Sequence, residues 1–422
     1  MRVSGKIPSV LFLSPESPYP LHGGGQYRTA SLIHYFARFA HVDLILFSEN
    51  GKPALLPPRL VRNQTVIPLP RHGKGTFERY ARNARRAVAG VPPLIDRLRG
   101  MGGAIENAIG DSRYEIGVVE HFWLAPYVKE VEKFCGRTVL DLHNVESMLH
   151  QTCAEAGTGL VAAGHRRFAG VSRRMEAELL PRFSVVLAAS KADQAAARGI
   201  APAARVEVYP NALPDMARPN GALPYRAEIA RTGPDCLEPS LVVFSGNFEY
   251  HPNIDAVGFL VREIWPRVRT KRPELRLRLI GKGDRFIRHL LTPDCGIEAT
   301  GEVPDAMKEI ALGDVVIAPL RMGSGTRIKI LEAWAAGRPV VATTLAAEGL
   351  SFEAGKNIVL EDAPDLFAGA ILRLLSDPDA RLRLATNGRA TFEREYTWEA
   401  AWRALDPYVQ VTRAEEVNRY TG

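Results

Sequence analysis

Two hydrophobic patterns alternate along this chain. Short continuous apolar runs are separated by stretches whose apolar residues recur at helical spacing. Ser9–Ser14, Val42–Ser48, Thr65–Pro68, Glu115–Val119, Thr138–Leu142, Val185–Ser190 and Val206–Tyr209 are short runs of the kind that form buried parallel strands. Ala30, Ile33, Ala37 and Ala40 mark a helix between the first two runs, and 160–183 reads as another. Asn211–Pro239 holds Pro214, Pro219, Gly221, Pro224, Gly233, Pro234 and Pro239 with little periodicity, as a linker does. The alternation then restarts. Strands are predicted at Leu241–Ser245, Leu275–Ile280, Ile297–Thr300, Val315–Leu320, Val340–Thr344 and Asn357–Leu360, and helices at Ile254–Val268, Thr326–Ala336, Pro364–Leu375, Asp379–Phe392 and Trp398–Val411. The pattern predicts an α/β protein of two tandem doubly wound domains facing a cleft. The expected divisions are 1–212, a linker 213–239, a second domain 240–395, and a terminal helix 396–422 crossing back to the first domain.

Val315–Thr343 is the most informative stretch: strand, glycine turn, helix, glycine stop, proline, strand. Gly323 and Gly325 flank Ser324 and let backbone N–H groups approach a ligand. A helix N-terminus fed by such a turn is an anion site, and Arg327 and Lys329 add two cations. Gly337 is read as the helix stop, and Pro339 prevents continuation. Glu332 lies six residues beyond Thr326, roughly 9 Å along the helix. That is about the span from a diphosphate to the hydroxyls of a nucleotide ribose. The stretch therefore reads as a nucleotide-diphosphate clamp.

The first half carries its own candidates. Gly23, Gly24 and Gly25 follow the first strand and precede a helix, a second anion-binding arrangement. His121 and His143 each sit just past a predicted strand, as Glu120-His121 and Asp141-Leu142-His143-Asn144. Sites in open α/β sheets lie beyond strand C-termini. The separation of the histidines excludes a one-helix metal pair, and no third ligand is evident, so no metal is expected.

Composition narrows the class. The chain has 422 residues, 46% hydrophobic and 24% charged, an ordinary globular balance. No apolar run approaches the roughly 18 residues of a membrane span, and Val10–Leu13 is too short for a signal peptide. The four cysteines form no C-x-x-C pair. A reducing, cytoplasmic setting is expected, with peripheral attachment at the inner face of the membrane as an option. The net charge of +7 is uneven. Residues 59–99 hold Lys and Arg in large excess over Glu78 and Asp96, which reads either as a solvated helical face or as a patch for anionic headgroups or a phosphorylated acceptor. No nucleic-acid motif accompanies the charge. Gly281-x-Gly283 lacks a third glycine, no P-loop or nucleophile elbow is present, and Asp377-Pro378-Asp379 reads as a helix cap.

The second half resembles the retaining glycosyltransferases of family 4, which have the GT-B fold of two Rossmann-like domains. The resemblance rests on Leu241-Val-Val-Phe-Ser-Gly246, Leu279-Ile-Gly-Lys-Gly283, Ala299-Thr-Gly-Glu-Val303 and the run from Gly323 to Thr343, and it extends to Tyr396-Thr-Trp398. It implies a metal-independent enzyme without a cofactor that moves a sugar from a nucleotide-sugar donor, with retention, to a glycan, lipid-linked or small-molecule acceptor. It also implies roles. Arg327, Lys329 and the backbone of Ser324, Gly325 and Thr326 would stabilise the leaving diphosphate, with Gly23, Gly24 and Gly25 approaching from the other side. Glu332 would take the ribose, and Val303 would lie near the base. Gly246, Asn247 and Lys282 would complete the donor site. His121, with His143 beside it, would meet the sugar and acceptor.

Two departures from that family stand out. Ser324 occupies the position eight before Glu332, where the family has a second glutamate, so the grip on the sugar differs. Asn247–Asn253 carries neither the Arg nor the Lys usual after the first strand of the second domain. Arg327 and Lys329, with Lys282, are expected to take over the diphosphate charge. A nucleotide-sugar epimerase and a non-catalytic nucleotide-sugar-binding protein are the alternative readings.

Overall fold

The predicted apolar runs form strands, and two sheets result. A computed structural model describes residues 7–409 apart from 22, 71–81, 83, 84, 87, 158, 215–239, 293, 294 and 324–327. Its contacts divide the chain into two compact units, Met1–Asn211 with Ala401–Gly422, and Ala212–Ala400.

The first unit contains β1 (Ser9–Ser14), β2 (His41–Ser48), β3 (Asn63–Pro68), β4 (Tyr114–Glu120), β5 (Cys135–Leu142), β6 (Val185–Ala188) and β7 (Val206–Val208). All pair in parallel, in the order β3-β2-β1-β4-β5-β6-β7. Val10, Phe12, Val119, Leu140 and Val186 are fully buried, as expected where helices cover both faces of a parallel sheet. The order reverses between β1 and β4. That is the switch point, where connections leave to opposite faces and open a crevice beyond the strand ends.

The second unit repeats the plan with β8 (Leu241–Ser245), β9 (Arg276–Ile280), β10 (Ile297–Gly301), β11 (Val315–Ala318), β12 (Val340–Ala342) and β13 (Val359–Leu360). The order is β10-β9-β8-β11-β12-β13, again parallel, with its switch point between β8 and β11. The expected two doubly wound α/β units are therefore present.

Local chemistry explains the elements. The helix Ile328–Ala335 buries Ile330, Leu331 and Trp334. Trp334 packs so tightly on the helix Pro378–Glu395 that a Cβ at Gly388 would fall 2.5 Å from its ring. Gly337 takes φ 66 and ends the helix, as read from the sequence. Asp377 is an N-cap, accepting from the Ala380 N–H at 2.8 Å.

Several elements differ from expectation. β12 stops at Ala342 because the Thr343 hydroxyl caps the helix Thr344–Ala347, accepting from the Ala346 N–H. The helix expected at Ile254–Val268 runs from His251 to Lys271 through a π-turn at Leu260–Ile264, just before Pro266, which cannot donate a helical bond. A helix at Glu146–Ala156, ESMLHQTCAEA, was not signalled, because its apolar residues lack a clean period; it is held by packing on the helix Gly159–Leu179. The terminal helix expected at Trp398–Val411 ends at Leu405, where 406–408 form a turn; Trp402 donates to the Ser31 carbonyl and hydroxyl at 3.1 and 3.0 Å, within the first unit. Among the described residues no helix is long and apolar enough to cross a membrane. Most of the linker read from the sequence, 215–239, and Cys236 lie outside the described residues.

Candidate active site

At the first switch point, β1 delivers the glycine loop and β4 delivers His121. Gly23 is the N-cap of the helix Gly24–Ala37, whose first turn has no side-chain cap. A helix N-terminus without a side-chain cap is where an anion can bind. Gly25 faces the histidines. A Cβ there would lie 3.2 Å from Glu16 Oε1, 3.6 Å from His143 Nδ1 and 3.7 Å from His121 Nε2. The structure thus brings Gly25, His121 and His143 together although 118 positions separate the first from the last.

Register explains the charges behind the histidines. Glu120 and Asp141 are direct partners across β4 and β5, so their carboxylates lie side by side, and both are fully buried. Two such carboxylates repel unless cations intervene. Arg28, itself buried, forks onto Asp141 with Nε at 2.8 Å from both oxygens and Nη2 at 2.6 Å from Oδ1. Its Nη1 donates to the Tyr209 carbonyl at 2.6 Å and to Asn211 Oδ1 at 3.0 Å. His143 Nε2 lies 2.9 Å from Glu120 Oε2 and 3.1 Å from Asp141 Oδ2. Thr29 donates to the same Glu120 oxygen at 2.9 Å.

The protonation states follow. Burial works against a charged His143, but the Asp141 and Glu120 carboxylates override it and lift its pKa to about 9. Burial would also raise Asp141, yet Arg28 and His143 hold it well below the usual carboxylate range. Glu120 is pushed up to about 7 by burial and by the neighbouring Asp141 charge. Burial, and then the His143 charge, drive His121 well below the ordinary histidine value.

Glu120, Asp141 and His143 bring ligand-type atoms within 4.8 Å of one another. Their charges are already balanced by Arg28 and the His143 ring, and Asp141 is committed to the guanidinium fork. The donor set therefore does not suit a divalent cation.

Beside this network, Glu16, Ser17, Asn50, Arg97, Leu98 and Trp123 line a cavity of about 470 Å³ beyond the ends of β1, β2 and β3. Arg97 is paired with Glu49 in its wall at 2.7 Å.

In the second unit, the loops after β8 and β9 interlock. Gly281 has φ 138, and a Cβ there would stand 2.0 Å from the Gly246 carbonyl oxygen. A Cβ at Gly283, φ 82, would reach 2.7 Å from Glu249 Cγ. The Phe248 N–H donates to the Lys282 carbonyl at 2.8 Å. The G-x-G of this loop is thus explained by close backbone approach. Asn247 and the Lys282 side chain are exposed at the strand ends, and Val303 follows β10.

Lys329 donates to Asn253 Oδ1 at 2.7 Å and lies 4.7 Å above the Phe244 ring. Asn253 in turn donates to the Asn247 carbonyl at 2.8 Å. Glu332 follows one turn later, half-buried beside Ser245. Burial raises its pKa, while Lys329 and Ser245 favour its charged form. The structure thus gathers Gly246, Asn247, Lys329 and Glu332 around the end of β8. Ser324, Gly325, Thr326 and Arg327 lie outside the described residues.

Reading the sequence for histidines alone missed Arg28, Glu120, Asp141, Glu146 and Trp123. A signal existed: each histidine has a carboxylate within two positions, at the end of an otherwise apolar strand. Arg28 shares a helix face with Leu32 and Tyr35, at i, i+4 and i+7, and all three are buried.

Residues 239–377 match the family described as Glycosyl transferases group 1. This bears out the resemblance drawn from the motifs between Leu241 and Thr343. A GDP-mannose-dependent monoacylated alpha-(1-6)-phosphatidylinositol monomannoside mannosyltransferase of Corynebacterium glutamicum is 29% identical over 157 residues, covering 34% of this chain and 41% of the relative. The lipopolysaccharide core biosynthesis glycosyltransferase LpsE of Rhizobium meliloti is 31% identical over 146 residues, 33% of this chain and 42% of its own. A phosphatidyl-myo-inositol mannosyltransferase of Mycobacterium tuberculosis is 32% identical over 150 residues, 32% of this chain and 38% of its own. The chain therefore matches less than half the length of each. Among solved structures, sucrose-phosphate synthase from Thermosynechococcus elongatus has a TM-score of 0.70 at 17% identity, with 95% of this chain and 98% of that one covered. Anabaena HepE in complex with UDP and glucose gives 0.61 at 16%, covering 95% and 98%. These likenesses extend over both units, and the fold is the GT-B fold expected from the sequence.

Proposed function

We propose that this chain, whose residues 239–377 belong to the group 1 glycosyl transferases, moves a sugar from a nucleotide-sugar donor to an acceptor hydroxyl with retention at the anomeric carbon. The observation that carries the reading is the cluster at the end of β8, Gly246, Asn247, Lys329 and Glu332, inside the segment that matches the family. Lys329 supplies positive charge for a leaving diphosphate, which gains negative charge as the glycosidic bond breaks. Glu332 is a carboxylate whose charged form burial opposes, and two ribose hydroxyls donating to it would relieve that cost. Arg327 and the Ser324–Thr326 backbone would join Lys329 at the diphosphate. Gly23, Gly24 and Gly25 would offer the uncapped N-terminus of the first helix to negative charge on the donor. His121 would meet the sugar.

The acceptor side of the reading rests on the cavity beside Trp123. Glu16, Ser17 and Asn50 offer hydrogen bonds to hydroxyls, and the indole offers an apolar platform. Three named relatives act on phosphatidylinositol-based lipids or in lipopolysaccharide core synthesis, which favours a lipid-linked glycan. The cationic excess of 59–99, with Val88 80% and Leu94 39% exposed in that segment, supports peripheral contact with an anionic membrane face from the cytoplasmic side.

Labelled nucleotide sugars test the reading. Incubation with lipid-linked and free glycan acceptors is expected to release nucleoside diphosphate and to give a product with the donor's anomeric configuration. An epimerised donor appearing without any acceptor would replace this reading with an isomerase. Lys329→Ala is expected to cut turnover at least about tenfold and weaken nucleoside diphosphate binding, read by thermal shift; unchanged diphosphate affinity removes Lys329 from the donor site.

A further inference from the structure

We propose that Trp123 and His143 are positioning residues that clamp the His121 ring between them and present its edge to a sugar hydroxyl. The role of the edge rests on the glycosyltransferase reading; the clamp itself does not.

The geometry begins with the backbone. His121 follows β4 with φ 64 and ψ 143, a backbone conformation that a residue bearing a side chain rarely adopts. Such a conformation persists where its surroundings over-determine it, and functional residues are where it recurs. Here the surroundings are two rings. Trp123 stacks on one face at 4.2 Å between centroids and 10° between planes. His143 stacks on the other at 3.5 Å and 23°. Both faces of His121 are thus covered, and only its edge is left.

That edge has no partner. Nδ1 and Nε2 of His121 are both buried and make no hydrogen bond with the described residues. Glu16 Oε1 approaches Nε2 only to 3.9 Å, beyond hydrogen-bond reach. An unsatisfied buried polar group is costly, so a pair of them on one strained residue points to a ligand that completes them.

The outer rings are themselves anchored. Trp123 Nε1 donates to Glu146 Oε1 at 2.9 Å, and Glu146 belongs to the helix that the sequence pattern missed. His143 is held by Glu120 and Asp141, and Asp141 by Arg28. Neither outer ring can turn away without losing a hydrogen bond to a carboxyl group.

The stack also sets charge. The groups facing His121 are His143, Asp141, Arg28 and Glu16. A positive His143 ring in face-to-face contact opposes a second proton on His121, and burial acts in the same direction. A neutral imidazole keeps one donor and one acceptor nitrogen, which is what a hydroxyl group can pair with.

Two measurements on the full chain test this. Ring-¹⁵N histidine NMR, with the His121 signal assigned from His121→Gln, is expected to show a neutral His121 from about pH 5 to 8. A His121 that titrates near its ordinary value in the unmodified protein overturns the clamp, whether or not any sugar is transferred. In transfer assays, Trp123→Ala is expected to lower kcat about 10²-fold with donor KM changed less than threefold, and Trp123→Phe to restore most of it. In a His121→Ala background the same Trp123→Ala change is expected to cost little more, because both act through one ring. Equal losses in the two backgrounds overturn the proposal. Absence of transfer from every donor, with the NMR result intact, would instead overturn the enzyme reading and leave the clamp standing.

Discussion

Arg28 shows how one residue governs several others. Its guanidinium neutralises Asp141, which lies in register with Glu120 and holds His143, which in turn covers His121. Removing one partner of a buried pair leaves an uncompensated charge, at about 3–5 kcal/mol. Arg28→Ala is therefore expected to lower unfolding free energy by that amount in urea titration, and Arg28→Lys to recover only part of it, since a single ammonium cannot fork onto both carboxylate oxygens. A loss under about 1 kcal/mol would show that the network is not held through Arg28.

The same network predicts a pH dependence. His143 is raised from 6.5 to about 9 in the folded chain. A group that binds its proton more tightly when folded contributes stability fully below its unfolded pKa and loses it as pH rises through the folded value. Glu120, raised from 4.5 to about 7, acts with the same sign at lower pH. Melting temperature is expected to fall between about pH 6.5 and 9, with a shallower fall in His143→Gln. A melting temperature that rises across that window contradicts a charged His143.

At the scale of elements, the interlocked loops after β8 and β9 set the geometry of the second switch point. Gly281 permits the contact, because its φ of 138 is poorly tolerated with a side chain and the Gly246 carbonyl occupies the space. Gly281→Ala is expected to cost about 3 kcal/mol or more, by chemical denaturation, and to weaken diphosphate binding by displacing Gly246 and Asn247. A variant with unaltered stability and affinity would mean that these loops are not coupled.

The elements also show what sequence patterns convey. The glycine stop at Gly337 and the cap at Asp377 were legible because a positive φ and an N-terminal oxygen are local requirements. The helix Glu146–Ala156 was not, because its stability comes from the neighbouring helix rather than from its own period. It supplies Glu146 to Trp123, so missing the helix also hid one end of the ring stack.

At the scale of the whole molecule, the terminal segment matters to a unit that begins at the other end of the chain. Trp402 donates to Ser31, and Asp406 accepts from the Tyr35 hydroxyl at 2.9 Å, both on the first helix. Ser31 also accepts from Tyr209 at 2.7 Å. Trp402→Ala is expected to destabilise the first unit by about 3–5 kcal/mol, seen as earlier loss of its amide-exchange protection relative to the second. Equal protection in both units would show that the contact adds little.

The sequence by itself determined what depends on near neighbours. It carried the apolar runs that become strands, the glycine turns, the helix stops, and the 241–343 motifs whose family is borne out by the match over 239–377. Its histidines were legible because each ends an apolar run. Tertiary structure decided what depends on strand order and register. Only the pairing of β4 with β5 sets Glu120 against Asp141, and only the packing of the first helix brings Arg28 to them. The stack that covers both faces of His121 draws its rings from the ends of two strands and an anchor from a third element. No local rule encodes that meeting: His121 and Trp123 share the turn after β4, but His143 comes from the end of β5 and Glu146 from the helix beyond it.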